Sequence, residues 1–407
     1  GEVDAILDHT IGPTAYSRDD EHLEQVFSHY RVNLDRMIDI ARTGGARVVF
    51  ITPASNLRDC SPFKSEYRTG LSETDAQRTQ TLSRQAKDAQ SDGQIARALT
   101  SLDEALGIDD RYADLHFLRG RVLYDLGSYD QAKAAFLRAI DEDVCPLRAG
   151  TAIRHIVAEV AAQRNVPHVD GAQMIEGLAD HGIPGSDYFP DHAHLTIEGY
   201  RLLALRLIQL LEHQNIVKID GNWTDAAIAS VADKVEGSID KQAHGEALRN
   251  LALIFSWAGK LDEAERMAAQ ATELLGDDAD ALYVRGLRAI AQGDVDAEIG
   301  YYRQALHLKP DFLRVHYNLA NALRSQDKLE EAAQHYRKTL ELKFDSVEAH
   351  ANLAGVLMEM GYFVEAAKHL RHVLRFAPDH ADVHFNLANA LRSQDKIDKA
   401  IGHYQEA

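Results

Sequence analysis

The stretch His316–Lys328, reading HYNLANALRSQDK, returns almost unchanged 68 residues later as His384–Lys396, HFNLANALRSQDK. Two periods of 34 residues account for the offset. A period of that length confines a chain to a stack of equivalent helical units, each too small to bury its own apolar face. Small residues recur in step at Ala252, Gly286, Ala320, Ala354 and Ala388. A second register holds Ala264, Ala332, Ala366 and Ala400, and a third holds Tyr302, Tyr336, Leu370 and Tyr404. The small positions let two helices of a unit approach, while Leu319, Leu323 and Tyr336 are expected to fill the gaps between units. Glu298 breaks the second register, which predicts an irregular second unit.

This pattern resembles the tetratricopeptide repeat (TPR). The resemblance implies helix pairs A and B stacked into a solenoid, with about five units over residues 244–407 and the last one incomplete. The same period reappears earlier, in Ala86 and Gly120, Gly93 and Gly127, Ala98 and Ala132, Leu102 and Phe136, and Ala105 and Ala139. It predicts a further pair of units over residues 76–145.

Around that pair the pattern is α/β. A helix is expected from Asp20 to Arg42, with Phe27, Tyr30, Leu34, Met37, Ile38 and Ala41 on one face. Gly44-Gly45 ends it, and the β-branched run Arg47–Thr52 reads as a buried strand closed by Pro53. A turn is expected at Gly12-Pro13. After the repeat pair, a helix over Arg148–Gln163 and a strand over Val166–Asp170 resume the alternation. Residues 1–75 and 146–216 therefore form a partial α/β domain interrupted by the repeat pair, as exposed loops with close ends permit. Residues 217–243 form a connector with a helix over Trp223–Ile239. Both ends of the chain read as cut, so a longer protein is expected.

The net charge of −19 argues against nucleic acid as a partner, since binding phosphates takes a basic surface. No run of 18 apolar residues is present, so no membrane span is expected. Cys60 and Cys145 flank the inserted pair. They are either neighbours in space or two buried small hydrophobes.

Two places carry chemistry. The loop Thr52–Phe63 follows the first strand, where open α/β sheets bind ligands; its Ser, Asn and Asp residues could equally satisfy their own backbone. Asp191 and His194 stand three apart before a helix that runs to about His213, the arrangement in which a carboxylate orients a general base. The block Asp191–Thr196 followed by Gly199-Tyr200 resembles the last sequence block of the SGNH (GDSL-type) hydrolases. The stretch from the Phe27 helix to Asn56–Cys60 resembles that family's penultimate strand region. The layout resembles bacterial proteins that join an SGNH-like domain, interrupted by TPR units, to a TPR array. The resemblance implies a flavodoxin-type parallel sheet and an Asp–His pair that completes a triad with a serine. The family's nucleophile block and first three strands are missing, which implies that they lie upstream of Gly1. Ser55 is the best-placed serine here, but it lacks a nucleophile-elbow context. His192 and His194 are a conceivable metal pair without a third ligand. No metal or cofactor is expected.

In the C-terminal array, Asn250, Asn318, Asn352 and Asn386 share one repeat position, and Asn321 and Asn389 another. Asparagine offers a donor and an acceptor, so such a column could pair with an extended peptide backbone or brace neighbouring helices. The array also resembles the TPR superhelix of O-linked N-acetylglucosamine transferases, which implies an asparagine ladder. The fold class expected is thus mainly α, a TPR solenoid joined to a partial α/β domain. The function expected is binding of a protein or peptide in the TPR groove. The alternative is a serine esterase or acyltransferase in the intact protein, with the repeats as targeting elements. The sequence leaves the compartment open between bacterial cytoplasm and periplasm.

Overall fold

A computed structural model describes residues 17–145, 148–219 and 222–407, so the expected Gly12-Pro13 turn lies outside the described residues. The chain forms two compact units, Gly1–Ser238 and Ile239–Ala407.

The first unit opens with α1 (Asp20–Thr43), whose first free N–H groups are met by the Asp19 side chain, through His22 N. Leu34 and Ile38 are its buried residues, with Phe27 and Tyr30 packed beside them. Met37, expected on that face, is 59% exposed, because it lies off the stripe that Tyr30, Leu34 and Ile38 make at helical spacing. β1 (Phe50–Thr52) follows. Then come four helices, α2 (Glu73–Ser91), α3 (Ile95–Ile108), α4 (Ala113–Asp125) and α5 (Tyr129–Asp141). After them stand α6 (Thr151–Gln163), β2 (His168–Asp170), α7 (Gly171–Leu178), α8 (Ile197–His213) and α9 (Asp225–Gly237).

β1 and β2 pair in parallel, Phe50 opposite His168 and Thr52 opposite Asp170, across the five intervening helices α2–α6. Leu34, Ile38, Phe50, Ile156, Val160 and Val166 form the core beneath this ribbon. The strands are shorter than the apolar runs that announced them. Among the described residues the sheet has two strands, so the flavodoxin-type sheet expected from the sequence is not present; what stands in its place is a parallel pair flanked by helices. α7 was not anticipated. It begins at Gly171, where a Cβ would stand 2.6 Å from the Thr52 carbonyl, so glycine lets the helix start against β1.

The helices α2–α5 make two antiparallel pairs. Gly120 on α4 faces the Phe136 ring of α5, which a Cβ would meet at 2.7 Å. The ends of this insertion are tied together: Val144 N donates to Lys64 O at 3.0 Å, and the Asp143 carboxylate accepts from Phe63 N and Lys64 N. Cys60 and Cys145 are both buried, and burial pushes the Cys145 thiol up.

The second unit is five helix pairs. They are α10 (Lys241–Trp257) with α11 (Leu261–Leu275), α12 (Ala279–Gln292) with α13 (Val295–Leu308), and α14 (Leu313–Ser325) with α15 (Leu329–Leu342). α16 (Val347–Glu359) with α17 (Phe363–Phe376) and α18 (Ala381–Arg392) with α19 (Ile397–Glu406) complete the stack. Leu319, Leu323 and Tyr336 are fully buried between helices, as their spacing demands. The turn between A and B needs a left-handed residue. Gly293 and Gly361 supply it in two units, and Asp327 and Asp395, at φ +59° and +61°, supply it in the two copies of the repeated stretch. The irregular second unit expected from Glu298 does not occur. α13 is unbroken, and Glu298 is buried at 6% exposure, where burial raises its carboxyl to about 7.

Candidate functional site

In the second unit the asparagines belong to the A helices, two residues before or one residue after the small residue that faces helix B. Their surroundings divide them. Asn321 and Asn389 each accept a hydrogen bond from the tyrosine of their own B helix, Tyr336 and Tyr404. Asn318 Nδ2 donates to the Tyr302 hydroxyl at 3.4 Å. Asn352 donates across the repeat boundary, to the Tyr317 hydroxyl at 2.9 Å and to Asn321 Oδ1 at 3.3 Å. Asn386 is half-buried and Asn250 exposed, and neither amide has a partner among the described residues. The column therefore mixes braces with free amides.

A cleft of about 230 Å³ opens between successive A helices, lined by Tyr283, Arg314, Tyr317, Asn318, Lys343 and Glu348 among others. Sequence reasoning named only Asn318 of these. The aromatic positions had a signal of their own: the residue before the asparagine position reads Arg249, Tyr283, Tyr317, Ala351 and Phe385.

In the first unit, Asp191 and His194 do meet. His194 Nδ1 lies 2.6 Å from Asp191 Oδ2, while Asp191 Oδ1 accepts from the backbone N–H of Ala193 and of His194. The carboxylate is thus held by its own turn, with a side chain 12% exposed, and the imidazole it orients is 77% exposed. A carboxylate at Nδ1 leaves Nε2 facing outward, the disposition of a general base. The loop after β1 lies against this turn. Asn56 N donates to His192 O at 3.0 Å, Asn56 Nδ2 to Phe189 O at 3.5 Å, and the His192 ring meets Ser61 O.

Two alternatives raised by the sequence fail on geometry. Ser55 is 1% exposed, with its hydroxyl buried and unpartnered, whereas His194 projects into solvent, so Ser55 is not its nucleophile. No serine hydroxyl among the described residues hydrogen-bonds His194. His192 is buried against Ser61 and Phe63 while His194 points out, so the two do not converge on a metal. Among the described residues, no group of three or more metal-ligating side chains could hold an ion, and no helix is long and apolar enough to cross a membrane.

The family model described as Tetratricopeptide repeat matches residues 83–143, 249–311 and 351–407, and one described as TPR repeat matches 320–361. No curated protein matches the chain. Among solved structures the chain is similar to MamA MSR-1 C2, at 20% identity over 40% of this chain and 94% of that one, with a TM-score of 0.36. It is also similar to YrrB, described as a TPR protein with an unusual peptide-binding site, at 21% identity over 39% of this chain and 82% of that one, TM-score 0.37. These matches fall on helix pairs that carry the 34-residue period in both units, and the chain is a tetratricopeptide-repeat protein.

Proposed function

We propose that the C-terminal array binds an extended peptide, or an extended segment of a protein, along the exposed side of its A helices. Tetratricopeptide repeats are protein-interaction modules, and the observation that carries the reading here is the cleft at Tyr317 and Asn318. It brings an amide, a phenol and the opposed charges of Arg314 and Glu348 to one cleft. Asn386, with a free amide, and the Phe385 ring beside it, 52% exposed, occupy the equivalent places two units on. A peptide presents one carbonyl and one N–H per residue, which the unpartnered Asn386 amide and the Asn318 side-chain carbonyl can meet. Each bond contributes only about 1 kcal/mol net, which makes several necessary. The test is a peptide array probed with the full chain and with Asn386→Ala. Binding that weakens while the melting temperature holds supports the reading; unchanged binding by a double variant with Tyr317→Ala sinks it.

A second reading concerns the Asp191–His194 pair. Its 2.6 Å contact and outward imidazole suit the base of an SGNH-like acyl hydrolase or acyltransferase, with a serine that the described residues do not bring to it. A fluorophosphonate probe should leave this chain unlabelled. Labelling of Ser55 that His194→Ala abolishes would overturn this assignment of the nucleophile.

A further inference from the structure

Three consecutive repeats contain the same histidine pair. His316, His350 and His384 on the A helices face His335, His369 and His403 on the B helices, with Nδ1 to Nδ1 distances of 2.9, 2.7 and 3.0 Å. In each A-helix ring the other nitrogen, Nε2, meets a backbone carbonyl: Pro310 O at 2.8 Å, Phe344 O at 2.9 Å and Pro378 O at 2.7 Å. A carbonyl only accepts, so each of these Nε2 atoms carries its hydrogen. The neutral ring then has a bare Nδ1, which must accept from Nδ1–H of the B-helix partner. A first proton can sit on Nε2 of the B-helix ring and leave this bond in place; a second, on the A-helix Nδ1, sets two N–H groups head to head at about 3 Å, where no hydrogen bond can form.

We propose that these three pairs make the packing of helix A on helix B acid-labile, so that the groove is assembled near neutral pH and dismantled in acid. The proposal rests on the peptide-groove reading only for what is released. The A-helix histidines are buried, at 7%, 4% and 8% exposure, and His316 is adjacent in sequence to Tyr317, which lines the cleft.

The surrounding charges do not rescue a protonated pair. His335 is faced by Glu331 of its own helix and Arg303 of α13, but these two pair with each other at 2.7 Å. His369 is faced by Glu365 and by Arg337 of α15, again paired at 3.0 Å. The His372 ring lies 3.9 Å from that of His350 and adds a third imidazole. His403 has Arg371 of α17 and Glu406 of its own helix nearby, and Lys399 and Arg371 line the cleft beside it. Desolvation first, and the paired ring second, hold His335 and His369 down at about 4 and keep His403 below the usual imidazole range. A histidine freed by unfolding takes a proton near 6.5. Stability is therefore complete above that pH and lost as pH falls towards 4. Each such histidine costs about tenfold in the unfolding equilibrium per pH unit within that window, less where solvent reaches the ring edge. Glu298 on α13 works in the opposite direction, so the readout is a difference between proteins at each pH.

The experiment compares circular-dichroism melts of the full chain and of His335→Gln/His369→Gln/His403→Gln between pH 8 and 4.5. Glutamine keeps a donor for the bare Nδ1 and cannot take a proton. The native chain should lose its array transition steeply below pH 6.5 and the variant should not; identical pH dependence overturns the proposal. Ring 15N NMR of the native chain covers the case in which the variant fails to fold. Rings of His335 and His369 that titrate below pH 5 support the switch, and rings that titrate near 6.5 overturn it. Neither readout uses a peptide, so failure here and failure of the groove reading are separate results.

Discussion

Asn352 joins two repeats: its Nδ2 donates to the Tyr317 hydroxyl of the preceding unit at 2.9 Å and to Asn321 Oδ1 at 3.3 Å. Asn386, 34 residues on and at the same repeat position, has no such partner among the described residues. Identical residues at equivalent places thus do different work. Asn352→Ala should lower the stability of the array by about 1–2 kcal/mol, the cost of two lost bonds and an unpaired phenol. Asn386→Ala should leave the denaturation midpoint unchanged. Urea unfolding of the two variants checks this, and equal losses would refute it.

Glu298 occupies a position that holds alanine in neighbouring repeats, and its burial raises the carboxyl to about 7. A raised acid binds its proton more tightly folded than unfolded, so it destabilises increasingly as pH climbs from 4.5 to 7. Glu298→Ala should be more stable than the native chain by about 1–3 kcal/mol at pH 8, and the gain should vanish below pH 4.5. Melting curves at pH 4.5 and 8 decide it. A gain that is the same at both would show that the cost is steric.

Arg303 pairs with Glu331 at 2.7 Å and Arg337 with Glu365 at 3.0 Å, each joining one B helix to the next. The next step of that ladder would join Arg371 to residue 399, which is lysine. Lys399→Glu should extend the ladder and stabilise the last repeat by ~0.5 kcal/mol, with the gain lost in high salt. Denaturation in low and high salt is the measurement; a salt-independent effect would count against ion pairing.

Asp191 and His194 should separate structure from chemistry. The Asp191 carboxylate accepts from two backbone N–H groups and an imidazole, so Asp191→Ala should cost about 2–3 kcal/mol. The exposed imidazole makes little packing contact, and His194→Ala should change stability by less than about 0.5 kcal/mol. Thermal melts of both variants test this. A large loss in His194→Ala would make the histidine a structural element.

Much of the architecture was legible because it is local. Helix A and helix B are each announced by apolar and small residues at helical spacing, and the 34-residue period says how often the pair recurs. The Asp191–His194 contact was legible for the same reason, since three residues of turn bring the two together. The two strands were found, with ends too long by up to three residues, because apolar runs do not mark where pairing stops.

What the sequence determined by itself is thus the repeat, the helix pairs it implies and the Asp191–His194 contact in the turn before α8. Tertiary packing decided the rest. It paired Phe50 with His168 across the insertion, buried Ser55 away from His194, and set His316 against His335 from the opposite helix of a unit. It also gave Asn352 a tyrosine and left Asn386 free. The physical reason is one of range. Periodicity records which face of a helix is buried, whereas the partner of a polar side chain is chosen by whichever helix packs against that face.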